Sequence, residues 1–115
     1  MSLRLPEKQL ALILHSMRKN GYGAKERSRW IEEAIDALLS FPEYWDLVGE
    51  NFTESGDSVS IPITLDGTNF LRLEESIQVC KSENVSRVDK SAVVRTAITQ
   101  RLIKEGGGVI EQLDD

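Results

Sequence analysis

The sequence predicts a mainly α-helical fold in which one strand–helix–helix unit occurs twice. Three observations predict it. Polar and apolar residues alternate in two short runs, Ser2–Leu5 and Ser58–Leu65, as on a strand with one buried face. After each run the apolar spacing changes to three and four, the period of a helix, and a second helical stripe follows. Finally, the halves superpose. Leu5 matches Leu65 and Leu10 matches Phe70 at an offset of 60, while Ile31-Glu32-Glu33-Ala34-Ile35 matches Val94-Arg95-Thr96-Ala97-Ile98 at 63. Three extra residues in the second helix–helix turn are expected to account for the change. Such a repeat points to a pseudo-dimer, because neither unit is large enough to bury its apolar stripes alone.

The first unit is placed at residues 1–40. Ser2-Leu3-Arg4-Leu5 forms its strand, with Pro6 at the favoured first position of a helix. Leu10, Ile13, Leu14 and Met17 make a one-sided stripe, and Asn20-Gly21-Tyr22-Gly23 ends that helix through a left-handed cap. Lys25-Glu26-Arg27-Ser28-Arg29 is a basic, polar start for a second helix, whose stripe is Ile31, Ala34, Ile35, Leu38 and Leu39.

Residues 41–57 form a connector, but not a plain linker. Phe41, Pro42, Tyr44, Trp45 and Phe52 give it an aromatic composition that flexible linkers lack. These side chains either seal one end of the core or form an exposed patch for a partner. Glu54-Ser55-Gly56-Asp57 reads as a turn.

The second unit spans residues 58–104. Val59, Ile61, Ile63 and Leu65 share one strand face, with Ser60, Pro62 and Thr64 on the other. Asp66 can cap a helix whose stripe is Phe70, Leu73, Ile77 and Cys80, and Ser82-Glu83-Asn84 opens the turn. Asp89 caps a last helix with Val94, Ala97, Ile98 and Leu102 inward. Gly106-Gly107-Gly108 is expected to end it, leaving an acidic, frayed tail over 105–115.

Composition narrows the function. A hydrophobic content of 40% supports a real core and argues against global disorder. No apolar run approaches the roughly 20 residues that cross a bilayer, and no leader with a cleavage site is expected. The single cysteine, Cys80, excludes an internal disulfide and suits a reducing compartment; it is either an apolar filler or a reactive thiol. The net charge of −5 is unevenly spread. Residues 1–30 hold seven Lys/Arg against two acids, and 58–104 hold seven against five. Residues 31–57 hold eight acids and no Lys or Arg, and 105–115 add four acids. Basic charge thus lies in the two units, so the low pI does not exclude nucleic acid, although it lowers non-specific affinity. His15 stands alone beside the first stripe. No metal-spaced Cys/His cluster, phosphate-cradling glycine loop or nucleophile–base pair is visible. The expectation is a non-enzyme without cofactor, metal or small-molecule substrate.

Two sets of residues carry a family resemblance. They are Ser2-Leu3-Arg4-Leu5-Pro6-Glu7 with Gly21 and Arg27-Ser28-x-x-Ile31-x-Glu33-Ala34-Ile35, and Ile63-Thr64-Leu65-Asp66 with Lys90-Ser91-x-x-Val94-Arg95-x-Ala97-Ile98. This pattern resembles the ribbon-helix-helix DNA-binding family, which includes the Arc and methionine repressors. The resemblance implies that the two strands pair antiparallel as a ribbon that enters the major groove. Tandem copies in one chain look most like the TraY branch, accessory DNA-binding proteins of conjugative plasmids (relaxosome factors). In that branch an aromatic–proline segment follows the second helix. Phe41-Pro42-Glu43-Tyr44 takes that place after the first unit, whereas Gly106-Gly107-Gly108 stands there after the second.

The resemblance implies base contacts from the outward ribbon face: Ser2, Arg4, Ser60, Pro62 and Thr64. Arg4 is the strongest candidate, since a guanidinium can contact guanine O6 and N7 together; otherwise it is a solvated charge on an edge strand. Phosphate contacts are expected at the N-termini of the second helices, where free N–H groups and the dipole attract anions. Lys25, Arg27 and Ser28 stand there in the first unit, and Arg87, Lys90 and Ser91 in the second. The plain alternative is that these are ordinary solvated helix starts. The expected role is a sequence-specific regulator of transcription, such as a repressor, or a factor preparing a plasmid transfer origin. It would be cytoplasmic in a bacterium, on nucleoid or plasmid, with copies associating side by side on double-stranded DNA. A reading of another class is an antitoxin-like module whose acidic segments hold a basic protein partner.

Overall fold

Seven elements follow in the order β1 (Ser2–Pro6), α1 (Glu7–Lys19), α2 (Arg27–Leu39), α3 (Tyr44–Glu50), β2 (Ser58–Pro62), α4 (Gly67–Ser82) and α5 (Lys90–Leu113). The structure, a computed structural model, describes residues 1–50, 58–85 and 88–113. It is mainly helical, with β1 and β2 forming a two-stranded antiparallel sheet. Among the described residues no helix is long and apolar enough to cross a membrane.

The ribbon register pairs Ser2 with Pro62, Leu3 with Ile61, Arg4 with Ser60, Leu5 with Val59 and Pro6 with Ser58. Met1 and Ile63 extend it by exchanging two hydrogen bonds of 2.9 Å. Because hydrogen-bonded and non-bonded pairs alternate, Pro62 and Pro6 fall in non-bonded pairs, where a missing N–H costs the ladder nothing. Leu3, Leu5, Ile61 and Ile63 are buried, while Ser2, Arg4, Ser60, Pro62 and Thr64 are exposed, as the alternation predicts. The predicted strand reaches Leu65, but β2 stops at Pro62. Beyond Ile63 no β1 residue lies opposite, and the Thr64 N–H turns to Ser28 Oγ at 2.9 Å.

Beneath the ribbon, α2 packs along α5. Trp30, Ile31, Ala34, Ile35 and Leu38 meet a core shared with Val93, Val94, Ala97, Ile98 and Leu102. From α1 come Ile13 and Met17, and from α4 Leu73 and Cys80, all buried. The outermost predicted stripe residues are less enclosed: Leu14 and Phe70 are exposed, and Leu10, Leu39 and Ile77 only partly buried. Burial pushes the Cys80 thiol pKa up, which keeps it a neutral filler.

The corners after α1 and α4 have the same hydrogen bonds. Tyr22 N donates to Met17 O (2.8 Å) and Gly21 N to Arg18 O (3.3 Å); Val85 N donates to Cys80 O (2.9 Å) and Asn84 N to Lys81 O (3.1 Å). Both are Schellman turns, with Gly21 at φ +80 and Asn84 at φ +67 in the left-handed position. The segments joining the helices, 20–26 and 83–89, are equally long. The three extra residues therefore do not lie in the second turn, as the sequence suggests. They lie in α4, which has 16 residues against 13 in α1. An insertion of nearly one helical turn returns the stripe to roughly the same face, so it fits inside a helix.

Two further boundaries differ from expectation. Pro6 is the last strand residue and helix cap, not the first helical residue. Instead of ending at Gly106-Gly107-Gly108, α5 runs on to Leu113. Glycine lowers helix propensity by about 1 kcal/mol relative to alanine but, unlike proline, keeps its N–H and adds no clash. Within the connector, α3 half-buries Tyr44 and Trp45 and buries Val48 against the core, whereas Phe41 stays 55% exposed. Tyr44 and Trp45 thus pack against one end of the core, as the first reading expects, while Phe41 does not. Phe52 and the Glu54–Asp57 turn lie outside the described residues.

Candidate nucleic-acid interface

The ribbon gathers four of the five predicted base-contact residues on one exposed face, and the fifth, Thr64, is exposed just beyond β2. Arg4 and Ser60 lie directly opposite each other, Ser2 and Pro62 form the next pair on that face, and Thr64 follows at the end. In such non-bonded pairs the side chains approach more closely than in bonded ones. The Arg4 Nε–H donates across the ribbon to Ser58 Oγ at 2.9 Å. Ser58 shares the parity of Ser60, Pro62 and Thr64, so strand periodicity could have placed it in the set.

Both ribbon edges are tied to helices. Arg27 Nη2 donates to Pro62 O at 3.3 Å, beside the Thr64 N–H to Ser28 Oγ bond. On the opposite edge, Arg95 Nη1 donates to Arg4 O at 3.0 Å. These contacts satisfy outward backbone groups that an edge strand would otherwise leave open. They bring the start of α2 against the end of β2, and α5 against β1.

The six predicted phosphate contacts are not equivalent. Lys25 is exposed. Arg27 and Ser28 are half-buried and engaged with β2, so they hold the ribbon besides any role toward an anion. Lys90 places its Nζ over the Phe70 ring, 4.5 Å from the centroid, and Ser91 is half-buried in the first turn of α5. Arg87 lies outside the described residues. Asp89 caps α5 as predicted, accepting from the Ala92 N–H at 2.7 Å; Asp66 caps α4 likewise, accepting from the Asn69 N–H at 2.7 Å.

A residue the sequence does not single out links the halves. Arg101 of α5 donates to Trp30 O (2.7 Å), to Tyr22 Oη (2.9 Å) and to the carboxylates of Glu33 and Glu105 (3.3 and 3.1 Å). Its guanidinium also lies 4.4 Å from the Trp30 ring. The Tyr22 hydroxyl donates to Glu33, which together with Arg101 and Arg29 lowers the Glu33 pKa against the opposing effect of burial. Acid in residues 31–36 is thus engaged inside the chain: Glu32 accepts from Asp66 N and Asn69 Nδ2 at 2.9 Å each, and Asp36 pairs with Arg72 at 2.7 Å.

Around the ribbon, the arrangement offers hydrogen-bond donors and acceptors on one exposed face, with cations at its flanks. His15 is exposed on α1, apart from these groups. No protein-family model matches the chain, and no characterised protein or solved structure matches it either.

Proposed function

We propose that the chain is a tandem ribbon-helix-helix pseudo-dimer that binds double-stranded DNA sequence-specifically through its β-ribbon. The observation that carries this reading is the register. It sets Ser2, Arg4, Ser60 and Pro62 on the outer face of one antiparallel ribbon, with exposed Thr64 just beyond β2 and the start of α2 docked on the ribbon edge. A two-stranded ribbon has the width to enter the major groove, where every base pair shows a distinct pattern of donors and acceptors. The matched Schellman corners, 63 residues apart at Gly21 and Asn84, support the tandem relation. Phosphates would sit at the α2 and α5 starts, near Lys25, Arg27, Ser28, Lys90 and Ser91.

The two halves present different side chains, so the target need not be palindromic. Its use would be repression of transcription or preparation of a plasmid transfer origin. Side-by-side copies would raise an affinity that a net charge of −5 keeps low. The antitoxin-like reading draws less support, because Glu32, Glu33 and Asp36 already have partners within the chain.

Titration of labelled duplexes at several salt concentrations tests the proposal. The expected result is affinity that falls with salt, and an Arg4→Ala variant that loses about 1–3 kcal/mol of base discrimination. A flat salt dependence, with Arg4→Ala indistinguishable from the parent, overturns it.

A further inference from the structure

We infer that Ser58 is a positioning residue for Arg4, and that the pair makes guanine the base read beside the Arg4–Ser60 pair of the ribbon. The inference rests on the DNA-binding reading above and deepens it. Arg4 is exposed, and a long exposed arginine ordinarily loses rotamer freedom when it engages a base. Here its Nε–H already donates to Ser58 Oγ at 2.9 Å, diagonally across the ribbon. A guanidinium has five N–H donors. With Nε engaged, the two terminal nitrogens remain as an end-on fork, the part that matches O6 and N7 of guanine. The backbone beneath is held as well, by the Arg95 guanidinium on Arg4 O at 3.0 Å. Arg4 is thereby fixed at both its main chain and its side chain before any base arrives.

The matching position of the second unit is different. Thr64, 60 residues on from Arg4, has its N–H on Ser28 Oγ and offers only a short hydroxyl side chain. A hydroxyl reads either kind of base pair. Guanine selection is therefore one-sided, and it depends on a serine that need not touch the base.

The experiment uses the whole chain. Sequences are selected from random duplex DNA, and affinity is then measured on the selected duplex and on one with its Arg4-dependent guanine pair replaced by A·T. Ser58→Ala is expected to reduce the ratio of the two affinities about two- to ten-fold, the size of one ordinary solvent-exposed hydrogen bond. Ser58→Thr is expected to restore it, and Ser58→Ala is expected to change nothing further in an Arg4→Ala background. An equal loss on both duplexes would show that Ser58 only stabilises the ribbon, and overturns the inference. So does a selected site on which Arg4→Ala leaves guanine preference unchanged, although the DNA-binding reading then stands. Recovery of no preferred sequence by the parent chain overturns that reading, and the inference with it.

Discussion

The helices α2 and α5 begin in opposite ways. At the start of α5, Asp89 accepts from the Ala92 N–H, so a negative charge sits on the helix terminus and occupies one of its free donors. At the start of α2, the N-cap position is Glu26, which makes no cap hydrogen bond. Its carboxylate turns back instead, accepting from Gly23 N at 2.8 Å and pairing with Arg29. A helix N-terminus carries roughly half a positive charge in its unsatisfied N–H groups. A capping aspartate stabilises the helix by using part of that charge, whereas an uncapped start leaves it for an outside anion. The difference teaches that a helix cap and an outside anion compete for the same donors: α5 uses one of its donors on Asp89, and under the proposed DNA-binding reading α2 keeps its own for a phosphate. Nearby cations follow the same division: Lys25 is exposed beside α2, but Lys90 lies over Phe70.

The strongest way to break the comparison is through the core beneath these helices. Trp30 is fully buried in α2, and Val93, 63 residues on, is fully buried in α5. Trp30→Ala is expected to cost about 3–5 kcal/mol in chemical denaturation, and Val93→Ala less because fewer atoms are removed. Equal losses would show that α2 and α5 do not divide the core as their side chains suggest. A smaller effect concerns the cap itself. Asp89→Ala is expected to cost about 1 kcal/mol of stability while tightening DNA binding, since it frees a donor and removes a negative charge. Glu26→Ala, with only exposed partners to lose, is expected to cost less than Asp89→Ala. The cations give a finer test in the salt titration. Arg27→Ala is expected to lower the slope of log affinity against log salt by about 0.9, the share of one phosphate contact. Lys90→Ala is expected to lower it less, and the reverse order would assign the tighter grip to α5.

How far the sequence reveals this depends on the range of each interaction. Strand faces were legible, because alternation alone decides that Leu3 and Ile61 go inward while Arg4 and Ser60 go outward. The caps at Asp66 and Asp89 were legible too, as was the left-handed position at Gly21, since each depends on a few neighbouring residues. The extra turn in α4 was not. The repeat is anchored at Phe70 and at Val94, and an insertion anywhere between them satisfies both anchors. Arg101 was hidden for another reason: its partners Tyr22 and Trp30 come from the other half of the chain, and only the packing of α2 on α5 joins them. Ser58 had the right parity, but its hydrogen bond to Arg4 requires the register. The α5 helix beyond Gly106 shows the limit of local propensity, which says what glycine costs but not where a helix must stop.

The smallest expected effect separates α2 from α5 by pH. Glu33 in α2 accepts from the Tyr22 hydroxyl and pairs with Arg101 and Arg29, which hold its carboxyl below its ordinary value of 4.5. The residue 63 positions on, Thr96, is fully buried and donates its hydroxyl to Ala92 O at 2.8 Å, so α5 has no titrating group at that place. A carboxyl depressed in the folded state contributes stability that is fully present above its unfolded pKa. The contribution is lost as pH falls from about 4.5 through the lower folded value, where both states bind the proton. Glu33 is 44% exposed, so solvent screening keeps the effect modest. Acid titration of the parent is therefore expected to weaken the Tyr22–Glu33–Arg101 contact only below the ordinary carboxyl range, reported by Tyr22 fluorescence or by hydrogen exchange in α2 rather than α5. Glu33→Gln is expected to flatten this part of the acid profile while leaving stability above pH 6 only slightly lower. An unchanged acid profile in Glu33→Gln, or earlier exchange in α5, would show that the cluster does not distinguish the two helices.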